Sequence, residues 1–251
     1  MEKYFSINES GHSIRCRLFC ADPKAVRRAV LCCHGFGGSK DSKAAERFAR
    51  FVQSKKKGVA VMTFDWPCHG DDAKKKLRLE DCTAYLTLCI GHLAALAGPE
   101  NLDAYATSFG GYLVLKYLHE QGKPFRRIAL RCPAVPMYDV LSRNILTEDL
   151  RRELERGREV LVGFERKLKI GTPFLEELRQ ADIRAWDYTP FCDDILILHG
   201  TKDEVVPFDA VRTFAEDNLI EFIPVEGADH RFMDPHKMDA AIGQMVEFLA
   251  L

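Results

Sequence analysis

A chain of 251 residues with 47% apolar and 29% charged side chains is long enough for one large α/β domain with a full core, and its ordinary Gly and Pro content excludes collagenous, disordered and low-complexity classes. The 36 Lys and Arg nearly cancel the 37 Asp and Glu, so no net positive field is present to hold nucleic acid or an anionic membrane. No apolar run reaches the roughly 18 to 20 residues of a spanning helix, and Met1-Glu2-Lys3-Tyr4-Phe5-Ser6 lacks the basic-then-apolar order of a signal peptide, so the expectation is a cytoplasmic protein.

In chain order, Lys3 to Asn8 and Ser13 to Cys20 pattern as an antiparallel hairpin joined through Glu9-Ser10-Gly11-His12, and Ala29 to Cys33 is a short apolar run suited to a central strand. After Asp41-Ser42, either of which suits a helix cap, apolar residues recur at helical spacing until Lys55-Lys56-Lys57-Gly58. Val59 to Phe64 is a strand, Leu79 to Leu96 a helix, Leu102 to Ala106 a strand and Tyr112 to Glu120 a helix; Ile128 to Cys132 is a further strand. The next strand, Ile195 to Leu198, comes only after a long insertion. Within that insertion Thr147 to Glu159 and Phe174 to Arg184 read as helices and Lys167 to Gly171 as a short strand, and nine basic and nine acidic residues between Arg143 and Asp182 mark a charge-rich cap rather than more sheet. Helix Phe208 to Asp217, strand Ile220 to Val225 and helix Met238 to Leu249 close the chain. Short strands alternating with helices predict a mostly parallel sheet covered on both faces. The nine cysteines are odd in number, form no Cys-x-x-Cys pair and mostly lie in apolar runs, so they read as reduced core thiols rather than as a disulfide framework or a zinc site.

The sharpest motif is Ala106-Thr107-Ser108-Phe109-Gly110-Gly111, a strand that runs into a serine and directly on into a glycine-rich helix start. That pattern suits a nucleophile elbow, in which small neighbours relieve crowding around a strained, exposed serine, with Ala106 standing where the pattern has glycine. In isolation the serine serves equally as a helix N-cap. His34-Gly35-Phe36-Gly37-Gly38 places a glycine-rich turn at a strand end, which fits an oxyanion hole, a tight connection or a phosphate cradle, although neither phosphate-loop pattern can be written there. His199-Gly200-Thr201-Lys202-Asp203 and Glu226-Gly227-Ala228-Asp229-His230 place an acid and a histidine in two later loops that leave strand ends. In a parallel sheet such loops share one edge, so Ser108, Asp203 and His230 can converge.

With these motifs and Phe64-Asp65-Trp66-Pro67-Cys68-His69-Gly70, which has Cys68 where glycine is usual, the chain resembles the α/β-hydrolase family from about Ala29 to its C-terminus, the cap excepted. The compact length, the glycine-rich loop and the Glu226 to His230 ending are similar to the small carboxylesterases that include cinnamoyl and feruloyl esterases. The resemblance implies one α/β-hydrolase domain over residues 1–251 with a helical cap at 133–185, and Ser108 as nucleophile, His230 as base and Asp203 as the acid that orients it. It also implies an oxyanion hole from the backbone N–H groups of Phe36 and Phe109, and no cofactor or metal. Asp65, Asp193, Asp194, Glu204 and Asp229 are the other candidate acids, and His34 and His199 read as loop-ordering residues. The apolar cap residues between Val135 and Leu141, Tyr138 among them, with Leu161, Val162, Phe164, Phe174 and Leu175, are expected to line the substrate pocket, Tyr138 and Phe164 in contact with substrate. The expected activity is hydrolysis of a small or aryl ester. A serine peptidase or amidase is the alternative, a non-catalytic binding protein the remote one, and the oligomeric state stays open, a homodimer included.

Overall fold

The computed structural model describes residues 1–72, 74–163 and 167–251. Strands β1 (Glu2–Glu9) and β2 (His12–Phe19) form the expected hairpin. Its two-residue turn has Ser10 at φ 50° and Gly11 at φ 77°, the left-handed pair that matches the twist of the flanking strands. The chain continues through β3 (Arg28–Cys33), α1 (Lys43–Lys55), β4 (Val59–Phe64), α2 (Leu79–Ala97), β5 (Leu102–Thr107), α3 (Phe109–Gln121) and β6 (Ile128–Arg131). Between β6 and the next strand of the main sheet come α4 (Met137–Asp139, extended by a wide turn to Ile145), α5 (Glu148–Glu155), a two-stranded hairpin β7 (Val160–Val162) and β8 (Leu168–Ile170), and α6 (Thr172–Gln180). Strand β9 (Ile195–Gly200), α7 (Phe208–Asp217), β10 (Glu221–Val225) and α8 (Pro235–Phe248) complete the fold.

The main sheet has the order β1-β2-β4-β3-β5-β6-β9-β10, antiparallel only where β2 meets β1 and β4. Alternation along its strands divides the core. Ala29, Leu31 and Cys33 of β3 face the layer that contains α2 and α3, while Val30 and Cys32 face α1 and α8. The hydrophobic sides of α1 and α8 lie on that second layer, where fully buried Phe48 alone is worth about 2–3 kcal/mol of removed apolar surface. From β3 the chain steps to β4 on one side and, after α2, to β5 on the other, so the strand order reverses between β3 and β5 and leaves a crevice outside their carboxyl ends.

The insertion departs from the sequence reading at several points: residues Met137–Ile145 add an unexpected helical segment, and α6 ends at Gln180 rather than at Arg184. Helix α5 stops at Glu155, because Gly157 turns left-handed at φ 75°, and the residues that follow pair as β7 instead of extending the helix. Leu161 was expected in the pocket but is 55% exposed: the two-residue alternation of β7 buries Val160 and Val162 and turns Leu161 outward. Among the described residues no helix is long and apolar enough to cross a membrane. All nine cysteines are free thiols, eight of them buried.

Candidate active site

Ser108 occupies the single position between β5 and α3, at φ 51° and ψ −119°, a left-handed backbone that a non-glycine residue adopts only under strain. The strain is sustained by close packing that leaves no room for side chains around it. A Cβ on Gly110 would stand 2.5 Å from the Cys33 carbonyl oxygen, and one on Gly111 would stand 2.8 Å from Pro133 Cβ. The Ser108 N–H donates to the Arg131 carbonyl (3.2 Å), and its own carbonyl accepts from Ala134 (3.0 Å), which ties the turn to the end of β6. Its side chain makes no cap bond to helix α3, so the N-cap explanation of this serine fails and the hydroxyl is turned elsewhere.

The hydroxyl meets His230, in the irregular loop between β10 and α8. Ser108 Oγ lies 3.1 Å from His230 Nε2, and His230 Nδ1 lies 2.7 Å from Asp203 Oδ2. Asp203 follows β9, and its other oxygen accepts the N–H groups of Val205 (2.8 Å) and Val206 (2.7 Å). A second imidazole reaches the same carboxylate: buried His199 has Nε2 3.2 Å from Asp203 Oδ2 and 3.1 Å from the Val206 carbonyl. Burial alone would raise the Asp203 carboxyl, but the hydrogen bonds from His199, His230 and Val206 outweigh it and hold the group below the usual carboxylate range. An ionised Asp203 keeps the His230 proton on Nδ1 and leaves Nε2 as an acceptor facing Ser108.

The loop after β3 lies against the same serine, since a Cβ on Gly35 would stand 3.1 Å from Ser108 Cβ. It is held by His34, whose Nδ1–H donates to the Gly35 carbonyl (2.8 Å) while Nε2 accepts from the Trp66 N–H (3.3 Å); Trp66 Nε1–H returns a bond to the His34 carbonyl (2.9 Å). Burial, helped by the Lys40 charge and opposed by the Gly35 bond, brings the His34 imidazole down to about 4, so it is neutral and structural. Asp65 accepts the Lys40 N–H (2.6 Å) and the Asp71 N–H (2.8 Å) and pairs with Lys40 Nζ, joining the loops after β3 and β4. Phe36 and Phe109 pack edge to face, with ring centroids 5.6 Å apart. Phe109 opens α3, so its N–H has no preceding helical carbonyl to donate to and is available to an anion.

The structure therefore brings together Ser108, Asp203, His230, Phe36 and Phe109 from four connections along one sheet edge, those after β3, β5, β9 and β10. None of the other candidate acids is hydrogen-bonded to the His230 ring; the Glu204 carboxylate accepts only its backbone N–H, at 3.4 Å. Tyr138 is half-buried on α4 and shares no hydrogen bond with these residues, and Phe164 lies outside the described residues. Phe174 does reach inward, its ring centroid 6.4 Å from that of Phe109. Two neighbours escaped the sequence reading. Arg131, at the end of β6, donates to the His230 carbonyl (3.1 Å), and Cys132, next in the chain, has its sulfur within 4.8 Å of the Asp203 carboxylate and the His230 ring. An arginine and a cysteine after an apolar strand carry no motif, and only the pairing of β6 with β9 places them there.

Six parallel strands, the antiparallel hairpin at one edge, the serine turn after β5 and the acid and histidine after β9 and β10 define an α/β hydrolase. A sequence profile described as the alpha/beta hydrolase family matches residues 30–242, and the chain belongs to that family. No curated protein sequence matches it. Among solved structures, Est1E from Butyrivibrio proteoclasticus with ferulic acid bound is 20% identical over 98% of this chain and 100% of its own, with a TM-score of 0.74. The esterase domain of a Rhodothermus marinus protein is 20% identical over 99% and 97%, with a TM-score of 0.70. Mouse alpha/beta hydrolase domain-containing protein 10 is 15% identical over 99% and 98%, with a TM-score of 0.75. Likeness at these identities is a likeness of fold.

Proposed function

We propose that the protein is a serine carboxylic-ester hydrolase that works through an acyl-enzyme on small or aryl esters. The observation that carries this reading is the continuous chain Ser108 Oγ to His230 Nε2 (3.1 Å) and His230 Nδ1 to Asp203 (2.7 Å), set on a strained turn. A serine hydroxyl is a weak nucleophile at neutral pH, so His230 takes its proton as Oγ attacks the acyl carbon and passes it to the leaving alcohol; water then repeats the cycle on the acyl-enzyme. Asp203 orients the imidazole and stabilises its cation. The developing oxyanion is received by the N–H groups of Phe36 and Phe109. No step calls on a cofactor or metal.

The 133–185 segment acts as the cap in this reading, with Phe174 and Tyr138 supplying its walls and most of its charged side chains turned to solvent, as in the pairs Arg156–Glu153 and Arg179–Glu176. Est1E, similar in fold, is solved with ferulic acid bound, an aryl acid that agrees with the aryl-ester reading. The free thiols fit a reducing compartment such as the cytoplasm, and the partner is a small-molecule ester rather than nucleic acid or membrane.

The decisive test pairs a fluorophosphonate probe with a screen of short-chain, aryl and long-chain esters and aminoacyl amides. The wild type is expected to be labelled at Ser108 and to turn over short or aryl esters, and Ser108→Ala to lose up to about a millionfold in turnover while folded. An active, folded Ser108→Ala protein would overturn the mechanism, absence of labelling would favour a binding protein, and preference for amides would favour a peptidase.

A further inference from the structure

Cys132 is a buried nucleophile that this mechanism leaves unused, and it stands beside the pair of residues on which the mechanism depends. It is 1% exposed, follows the last residue of β6 and is turned by a left-handed backbone (φ 46°) toward the loop after β9. Its N–H donates to the Leu198 carbonyl near the end of β9 (2.9 Å), which locks it beside that loop, and its sulfur lies within 4.8 Å of the Asp203 carboxylate. One ligand atom from each of Cys132, Asp203 and His230 lies within 4.8 Å of the other two, the one such three-ligand group among the described residues.

We propose that Cys132, Asp203 and His230 form an inhibitory site for a soft divalent cation of the zinc class. A thiolate, an imidazole nitrogen and a carboxylate oxygen are the donor set that zinc prefers, and the thiolate discriminates against magnesium and calcium. Zinc bonds of about 2.0–2.3 Å in a tetrahedral site separate ligand atoms by about 3.3–3.8 Å. The widest edge, at most 4.8 Å, therefore closes by up to about 1.5 Å, and the 2.7 Å edge between His230 Nδ1 and Asp203 opens by about 1 Å or less, both within the reach of side-chain rotation. The His230 side chain is 13% exposed in a loop without regular structure, which provides the approach from solvent.

Coordination releases one proton to solvent, from the Cys132 thiol; Asp203 is already ionised, and the single proton of the neutral His230 ring moves from Nδ1 to Nε2 by exchange with solvent as Nδ1 takes the metal. A fourth position remains for water. The metal-bound imidazole thus holds its one proton on Nε2. It presents a donor to Ser108 where the reaction needs an acceptor, so the metal silences the base by fixing the wrong tautomer rather than by filling the substrate pocket. The inhibition rests on the esterase reading; the coordination does not.

Two readouts separate these claims on tag-free, full-length protein. Zinc or cadmium is expected to suppress ester hydrolysis and fluorophosphonate labelling reversibly on chelation, with magnesium and calcium inert. Cobalt is expected to bind with a thiolate-to-metal charge-transfer absorption that zinc displaces. Cys132→Ala, with Cys132→Ser as the second variant, should keep basal activity, abolish the cobalt band and weaken zinc inhibition by at least about tenfold, the lower end of what even an outer-shell partner contributes to a metal site. Cys192→Ala, which removes the one cysteine that is not fully buried, should change neither readout. Zinc inhibition equal in wild type and Cys132→Ala, a cobalt band that survives loss of Cys132, or loss of either effect in Cys192→Ala would overturn the site. A protein with the cobalt band but no hydrolysis of any ester would keep the site and sink the esterase reading.

Discussion

His34 and Asp203 show how single side chains at the active edge set the response of the whole protein to acid. The imidazole of His34 is lowered to about 4 by burial, against an ordinary value near 6.5, so between those limits the unfolded chain binds a proton that the folded chain refuses. Stability must therefore fall as pH drops from about 6.5 to 4, by up to about 3 kcal/mol from this group. His92, lowered by burial and by the charge of Lys3, adds in the same direction. Asp203 has the opposite chemistry: its carboxyl is held down in the fold, so its contribution is complete above the ordinary carboxylate range and is lost only in stronger acid. Urea unfolding at pH 7.5, 5.5 and 4.0 should show this slope in the wild type and a shallower one in His34→Asn. Equal slopes would mean that His34 is not the buried neutral group described.

At the scale of elements, the geometry of the proposed catalytic residues depends on how closely neighbouring strand ends approach. Gly200 ends β9, and a Cβ there would lie 2.3 Å from the Ala228 carbonyl oxygen in the turn that follows β10. Nothing larger fits, because this contact sets the separation of the loops carrying Asp203 and His230. Gly200→Ala is expected to cost about 1–3 kcal/mol of stability through overpacking and about 100-fold in kcat, the scale of an ångström-sized misplacement of reacting groups. Gly243 is the control. It sits inside α8 with open space where its Cβ would be, so Gly243→Ala should leave activity unchanged and raise stability by up to about 1 kcal/mol. Denaturant midpoints and steady-state rates for the two variants, measured side by side, test the contrast. An active Gly200→Ala enzyme would show that the two loops adjust independently.

At the scale of the molecule, the insertion is fastened to the sheet-bearing core by a few specific bonds. Glu177 of α6 accepts the Leu79 N–H at the start of α2 (2.8 Å) and pairs with Arg78, so a cap residue supplies the helix end that Arg78 does not cap itself. Tyr112 Oη–H of α3 donates to the Ala181 carbonyl (3.0 Å), Asn144 Nδ2–H donates to the Val205 carbonyl beside Asp203 (2.7 Å), and Phe174 rests on Phe109. Loosening this seam should alter which ester is preferred before it alters the chemistry. Glu177→Ala and Phe174→Leu are each expected to shift the ratio of kcat/KM between an aryl and a short alkyl ester by about threefold to tenfold, about 1 kcal/mol of differential binding. Labelling of Ser108 by fluorophosphonate should persist in both. An unchanged ratio in both variants would place specificity outside the cap.

The order of elements and the residues that meet at the candidate site were legible because their signals are local. A strand that runs into Ser108 and straight into a glycine-rich helix, glycines beside His34, and an acid and a histidine after two later strands each stand out within about ten residues. The cap was less legible: α5 and β7 are short and rich in charge, and a left-handed Gly157 rather than any periodicity decides where one stops and the other begins. Leu161 was misplaced because a three-residue strand has too few residues to show which face it buries. The second histidine on Asp203, the arginine behind His230 and the thiol of Cys132 carry no sequence pattern at all. They meet because parallel strands distant in sequence end at one edge, so the residue types and their chain order came from the sequence alone, whereas which uncharacteristic neighbours surround the reacting groups was decided by strand register and close packing in three dimensions.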